Sequence, residues 1–400
     1  MKKFYIIEAI VLAAFVLGIF IGRAMMSEDR YFRNYYDEAA KAYQKAVKLD
    51  TPPVSSDEPK RLKKVLGLYR KVFEKYRDSS VADDALFTLA SRIPPGDEDA
   101  FILFRKLIRE YPDSDYVDDA LYAIGMGHFK KKNYDRAMRV FSQLIEQYPT
   151  SPLVDESKFN RAMCYYGLQD WKRAMEEFTK FEEEYRSSEL MPAVRFYIGM
   201  IYYNEQDYDK ALVEFKNLVD LANEKYSPKA LFQIGLIHFN RKEYEDAIKS
   251  FREVVERYPN DEMAEEAQFN IAWTYDVEGK REEALQEFQN LLQKYPSTKF
   301  LSTAYKVMAR IYVNLGQTEK AVEMYRKIAE NKSLDYDTRR SAQYAIGRIY
   351  EKKGDYVKAI QEYERLLKDF PEPHSEPAHP SNEIDEGYIN RLKDKISQPG

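Results

Sequence analysis

Apolar positions follow two regimes along this chain. From Phe4 to Ile21 they form a nearly unbroken run behind Lys2 and Lys3, with Glu8 as the only charge inside it. Beyond that run they recur at helical spacing rather than in alternation. Eighteen residues in a helix rise roughly 27 Å, close to the hydrocarbon thickness of a bilayer. Residues 1–23 are therefore predicted to be a single membrane-spanning anchor. A cleaved signal peptide is the rival: the core from Ala9 to Ile21 is short, and Gly22-Arg23-Ala24 resembles a small-x-small cleavage site. The early start of the run favours the uncleaved anchor. Lys2 and Lys3 on one side are nearly balanced by Arg23, Arg30 and Arg33 on the other, so the charge rule hardly decides orientation. A short basic start before an apolar core favours export of the remainder. Ala14, Gly18 and Gly22, four apart, would let two such helices pack closely as a homodimer, although small residues are also simply frequent in such helices.

The helical regime is periodic. Alanines recur at Ala100, Ala137, Ala174, Ala211, Ala247, Ala284, Ala321 and Ala359, spaced 36 to 38 residues apart. Four residues after each comes an aromatic (Phe104, Phe141, Phe178, Phe215, Phe251, Phe288, Tyr325, Tyr363), and seven after each a bulky apolar residue such as Leu144 or Val254. Offsets of four and seven share one helical face. Pro112, Pro149, Pro259, Pro296 and Pro371, each after an aromatic, close five of the units, because proline disfavours helix in the residue before it. Twelve residues before the anchors lie small residues: Gly125, Ala162, Gly199, Gly235, Ala272, Ala309 and Gly347. They mark a first helix preceding each of these second helices. Acidic pairs such as Asp118-Asp119 and Glu265-Glu266 start several first helices, where the helix dipole favours them.

A helix–turn–helix unit with these residues at these offsets resembles the tetratricopeptide repeat. The period is longer than that family's 34. Long units ending in Tyr-Pro are similar to the repeats of bacterial envelope proteins of the BamD and YbgF type. The resemblance implies an all-α, right-handed α-solenoid over residues 61–371, with eight or nine repeats of about 37 residues, and a protein-binding rather than catalytic role in the cell envelope. Residues 24–60 read as a juxtamembrane helix and linker. Residues 372–400 read as a disordered Pro-rich linker and a short final helix. No cysteine follows the apolar run, so a lipid-accepting cysteine of the BamD type is not expected.

First helices carry a second apolar stripe, roughly 160° from the buried one. It comprises Tyr122, Met126 and Phe129; Phe159, Met163 and Tyr166; Phe196, Met200 and Tyr203; Phe232, Leu236 and Phe239; and Phe269 with Trp273. Aromatics and thioethers make an adaptable surface for a partner segment. The same stripe would equally serve as packing between first helices, or stack on cell-wall glycan. Toward the C-terminus its equivalents become Lys306 and Arg310, then Tyr344 and Arg348, with Arg339 and Arg340 nearby, a basic end suited to carboxylates.

Charge and chemistry narrow the classes further. A net charge of −5, with both signs interspersed, argues against nucleic acid as a partner. One cysteine, Cys164, precludes an internal disulfide and reads as a buried apolar residue. His128 and His238 stand where the repeat has tyrosine and read as packing residues with one hydrogen bond each. His374 and His379 lie in the Pro-rich tail and make a poor metal site. No phosphate-cradling loop, zinc motif or nucleophile elbow occurs, so neither cofactor, metal nor catalytic residue is expected. The leading expectation is an inner-membrane-anchored scaffold with its repeats outside the cytoplasm. A cytoplasm-facing scaffold and an accessory subunit of an envelope enzyme are the alternatives.

Overall fold

The computed structural model describes residues 30–51, 59–94 and 96–397. The apolar run, with the anchor, its cleavage and the Ala14, Gly18, Gly22 face, lies outside the described residues. Among the described residues there are nineteen α-helices, one 3-10 helix and no strand. No described helix is long and apolar enough to cross a membrane. The chain divides into two compact units, Met1–Ile201 and Tyr202–Gly400.

In the first unit, helix Arg30–Asp50 lays Ala39, Tyr43 and Ala46 against helix Pro59–Lys75, where the Tyr43 and Tyr69 rings lie 6.0 Å apart. Paired helices follow: Ala82–Ser91 with Glu98–Glu110, Val117–Lys130 with Tyr134–Gln147, and Val154–Gly167 with Trp171–Glu184. The second unit holds Ser227–Asn240 with Tyr244–Arg257, Glu262–Glu278 with Arg281–Lys294, Leu301–Asn314 with Thr318–Ala329, and Tyr336–Lys352 with Tyr356–Asp369, ending in Glu386–Ser397.

The periodic residues explain the pairing. All eight anchor alanines are buried, as are Phe141, Phe178, Phe251, Phe288 and Tyr363. The small residue of a first helix is the seat for the aromatic of its second helix. A Cβ added to Gly125 would stand 2.5 Å from the Phe141 ring, and one on Gly235 would stand 2.6 Å from the Phe251 ring. The close approach brings flat rings onto bare backbone and excludes water from the helix pair.

The turn between first and second helix has its own rule. From the pair Val117–Lys130 and Tyr134–Gln147 onward, one residue in each turn adopts the left-handed conformation: Lys132, Gln169, Gln206, Lys242, Gly279, Gly316 and Gly354. The backbone N–H one residue later then bonds back five residues, as from Asn133 to His128 and from Lys280 to Tyr275, both at 2.9 Å. Three of these seven turns use glycine. In the others a longer side chain accepts roughly 1 kcal/mol of backbone strain.

The stretch expected to be a disordered linker is instead pinned down. Arg340, 3% exposed, donates to the carbonyls of Phe370 and Ser381 and to the Ser381 hydroxyl. Asp337 accepts from the backbone and hydroxyl of Ser375. The imidazoles of His374 and His379 stack with centroids 4.0 Å apart. Each Nδ1 accepts a backbone N–H, from Glu376 and Ser381 respectively. A Pro-rich composition suggested disorder because it offers little to bury. Here a buried guanidinium anchors the segment, together with the buried Ile384, Ile389 and Leu392.

Candidate functional site

The second stripe is half-buried along its length. Phe232 is fully buried, Lys306 and Arg310 are exposed, and the other members lie between. Its own second helix covers part of it, despite the roughly 160° between the two stripes. Tyr122 leans on Phe141 at 6.0 Å, Phe159 on Phe178 at 5.9 Å, Phe232 on Phe251 at 5.3 Å and Phe269 on Phe288 at 5.8 Å. The last aromatic of each triplet meets the first residue of the second helix. The ring pairs are Phe129–Tyr134, Tyr166–Trp171, Tyr203–Tyr208 and Phe239–Tyr244, with centroids 5.1 to 5.9 Å apart. Long side chains reach round the helix, which an idealised angle ignores. Met163 and Leu236, which lie between these rings in the sequence, are half-buried.

The pattern breaks in the second unit. At the positions of those sealing aromatics stand Asp276 and Arg281, then Val313 and Thr318. The stripe itself becomes Lys306 and Arg310. Loss of the ring pairs opens a cleft of about 860 Å³ across helices Glu262–Glu278, Leu301–Asn314 and Tyr336–Lys352. Trp273 and Tyr344 stand in its walls, with Val307, Val313 and Ile349. Among the described residues, five cations line it (Lys306, Arg310, Arg348, Lys352, Lys353) and no carboxylate does.

Two of those cations are partly neutralised from outside. Arg310 pairs with Asp276, and Arg348 lies 3.0 Å from Glu351. Burial works to raise the Glu351 pKa, but the hydroxyls of Tyr363 and Tyr388, together with Arg348, hold it below the usual carboxylate range. Lys306, Lys352 and Lys353 have no ion-pair partner among the described residues. Lys352, Lys353, Val313 and Thr318 were not anticipated. The signal was present: the aromatic expected three residues after Arg310 is a valine. Arg340, expected at this basic end, holds the tail, and Arg339 donates to the Ala329 carbonyl at 3.0 Å.

Other polar groups are structural. Glu287, 9% exposed, accepts from Arg252 at 2.8 Å, Gln268 at 2.7 Å and Asn290 at 3.1 Å. Burial pushes its pKa up, and these three hydrogen bonds outweigh it and hold the carboxyl ionised. Glu362 repeats the arrangement with Arg326 and Gln343, both at 2.8 Å. His128 departs from expectation. It stacks on Phe101 at 4.6 Å, and its buried Nδ1 has no hydrogen-bond partner. Burial, then Arg136, holds its pKa below the ordinary 6.5. His238 does make its bond, Nδ1 to Glu243 at 2.5 Å. With Asp246 these form the cluster among the described residues that brings three ligand atoms within 4.8 Å, but the imidazole is already engaged and both carboxylates are exposed. Burial pushes the Cys164 thiol up to about 12, leaving it unreactive.

Comparison with known proteins agrees with this architecture. The Tetratricopeptide repeat family matches residues 228–261, 266–298 and 307–372. The YfiO family, described as Outer membrane lipoprotein, matches residues 118–208. No curated protein sequence matches the chain. Similar solved structures include a tetratricopeptide repeat protein from Parabacteroides merdae, 15% identical, covering 70% of this chain and 99% of that one at a TM-score of 0.42. Another is the C-terminal part of a repeat protein from Cytophaga hutchinsonii, 20% identical over 63% of this chain and 96% of its own, at 0.49. PilF of Pseudomonas aeruginosa is 16% identical, with 57% and 97% covered, at 0.41. The chain thus carries tetratricopeptide repeats, with a stretch similar to the YfiO outer-membrane lipoprotein family.

Proposed function

We propose that this protein is an interaction scaffold of the bacterial cell envelope that holds segments of partner proteins along its first helices. The observation that carries this is the state of the second stripe. Side chains in successive repeats are half covered, so the helices are already packed while apolar surface at Met163 and Leu236 remains to be exchanged from water to a partner. A repeat array offers such surface in a preorganised form, at little ordering cost on binding. The similarity of residues 118–208 to an outer-membrane lipoprotein family supports the envelope setting. The apolar run from Phe4 to Ile21 fits a tether that leaves the repeats outside the cytoplasm.

The test uses charge at two open stripe positions. Met163→Glu with Leu236→Glu should leave the helical content and melting temperature within a few degrees of the parent, while co-purification of the partner falls at least about tenfold, since each buried uncompensated carboxylate costs more than 1 kcal/mol. A variant that melts early makes the stripe core. A stable variant that keeps its partner removes the stripe from binding. Either result overturns the reading.

A further inference from the structure

Resting on the scaffold reading, we propose that the cleft across helices Glu262–Glu278, Leu301–Asn314 and Tyr336–Lys352 receives an extended acidic segment of a partner protein, with carboxylates at alternate residues and an aromatic or aliphatic side chain between them.

Charge sets the first requirement. The lining carries five cations and no carboxylate, and the two acids beside it, Asp276 and Glu351, are held by Arg310 and Arg348. Lys306, Lys352 and Lys353 are exposed and lack an ion-pair partner among the described residues. A neutral occupant would strip water from these ammonium groups and return nothing. An acidic one replaces the lost hydration.

Spacing sets the second. Lys306 and Arg310 are four residues apart on one helix, and Arg348 and Lys352 are four apart on the next. Each pair thus shares a face, offset by roughly 6 Å along its axis. Alternate side chains of an extended strand share a face about 6.6 Å apart. A single terminal carboxylate would engage only one cation of each pair.

The uncharged lining sets the third. Thr303, Asn314 and Thr318 face the cleft, and their side chains have no hydrogen-bond partner among the described residues. An open backbone needs such donors and acceptors, whereas a helix satisfies its own. Trp273 and Tyr344, in the walls, offer flat surface to the intervening apolar side chain.

The test measures fluorescence anisotropy of labelled, end-capped nonapeptides added to the full chain in detergent micelles. The first peptide has glutamates at alternate positions and phenylalanine between two of them. The second replaces glutamate by glutamine. The third places the glutamates four apart in a helix-favouring alanine background. A single-stranded oligonucleotide of equal charge is the fourth probe.

The first peptide should bind, weaken with added salt, and exceed each of the others by at least about tenfold, the scale of two lost charge contacts. Lys306→Glu with Lys352→Glu, both at exposed positions, should leave the melting temperature unchanged and lower binding of the first peptide by a similar factor. A lysine version of that peptide should then bind the variant better than the parent. Equal binding of the glutamine peptide, a variant that still holds the acidic one, or a preference for the helical peptide or the oligonucleotide would each overturn the proposal. If the acidic peptide fails while the stripe still holds a protein partner, the cleft assignment falls and the scaffold reading stands.

Discussion

Gly235→Leu is expected to destabilise the second unit by about 3 kcal/mol, and the loss should be confined to the helices around it. Gly235 is the seat of the Phe251 ring. A Cβ there would already stand 2.6 Å from the ring, and Phe251, 1% exposed, has nowhere to swing. Leucine adds three further carbons. Some of the cost is returned, because any side chain in place of a helical glycine gains about 1 kcal/mol in backbone preference. Alanine is the informative control. Ala272 and Ala309 occupy the same offset in other repeats, so one methyl is tolerated where the neighbouring ring has adapted. Denaturant unfolding gives the magnitude. Hydrogen exchange should show the loss concentrated in helices Ser227–Asn240 and Tyr244–Arg257.

Arg340→Met should release the segment from Phe370 to the end of the chain. The substitution keeps the volume but removes the guanidinium that holds both carbonyls, leaving the Phe370 carbonyl buried without a donor and Ser381 with only the Ile384 N–H at 3.4 Å. The orphaned Phe370 carbonyl costs about 1–3 kcal/mol and the lost bonds to Ser381 add to it, partly offset because a buried charge is also removed. The net expectation is about 2 kcal/mol for that segment, read as faster proteolysis after residue 370 while the preceding helices stay resistant.

Mild acid should act on the same segment. Burial, then His374, holds the His379 pKa below its ordinary 6.5, with Glu376 pulling it up, Arg340 pushing it down and Asp337 pulling it up by less. Its Nδ1 accepts the Ser381 N–H, so a proton there removes that bond. The released segment binds the proton more readily. The stabilisation is therefore complete above 6.5 and declines as pH falls from 6.5 toward the lower value of the folded state. Asp337 is depressed by its bonds from Ser375, so its contribution persists until pH falls below the ordinary carboxylate range. Proteolysis after residue 370 should therefore rise between pH 7 and 5 in the parent, with little pH effect in His379→Gln.

The repeat was legible because its physics is local. A small residue, a ring and a proline at fixed offsets report a helix pair wherever they occur. The left-handed turn residue was not legible, because Lys132, Gln169, Gln206 and Lys242 carry no mark of the conformation that Gly279 advertises. The order of the tail was hidden for another reason. It depends on Arg340, which lies 30 residues before the Phe370 carbonyl it holds. The basic cleft was half visible: Lys306, Arg310 and Arg348 stood out as charges in an aromatic stripe, but the opening arises from missing ring pairs at Val313 and Thr318. Polar triads such as Arg252, Gln268 and Glu287 join three helices and leave no short-range pattern.

Site-specific photo-crosslinking in cells tests the central claim most directly. A photoreactive residue is placed at Met163 or Leu236, on the stripe, or at the exposed Ile102 or Val213 of second helices. The account predicts that both stripe positions capture one and the same protein and that the outer positions do not. Capture of that protein from Ile102 and Val213, with none from Met163 or Leu236, would contradict it.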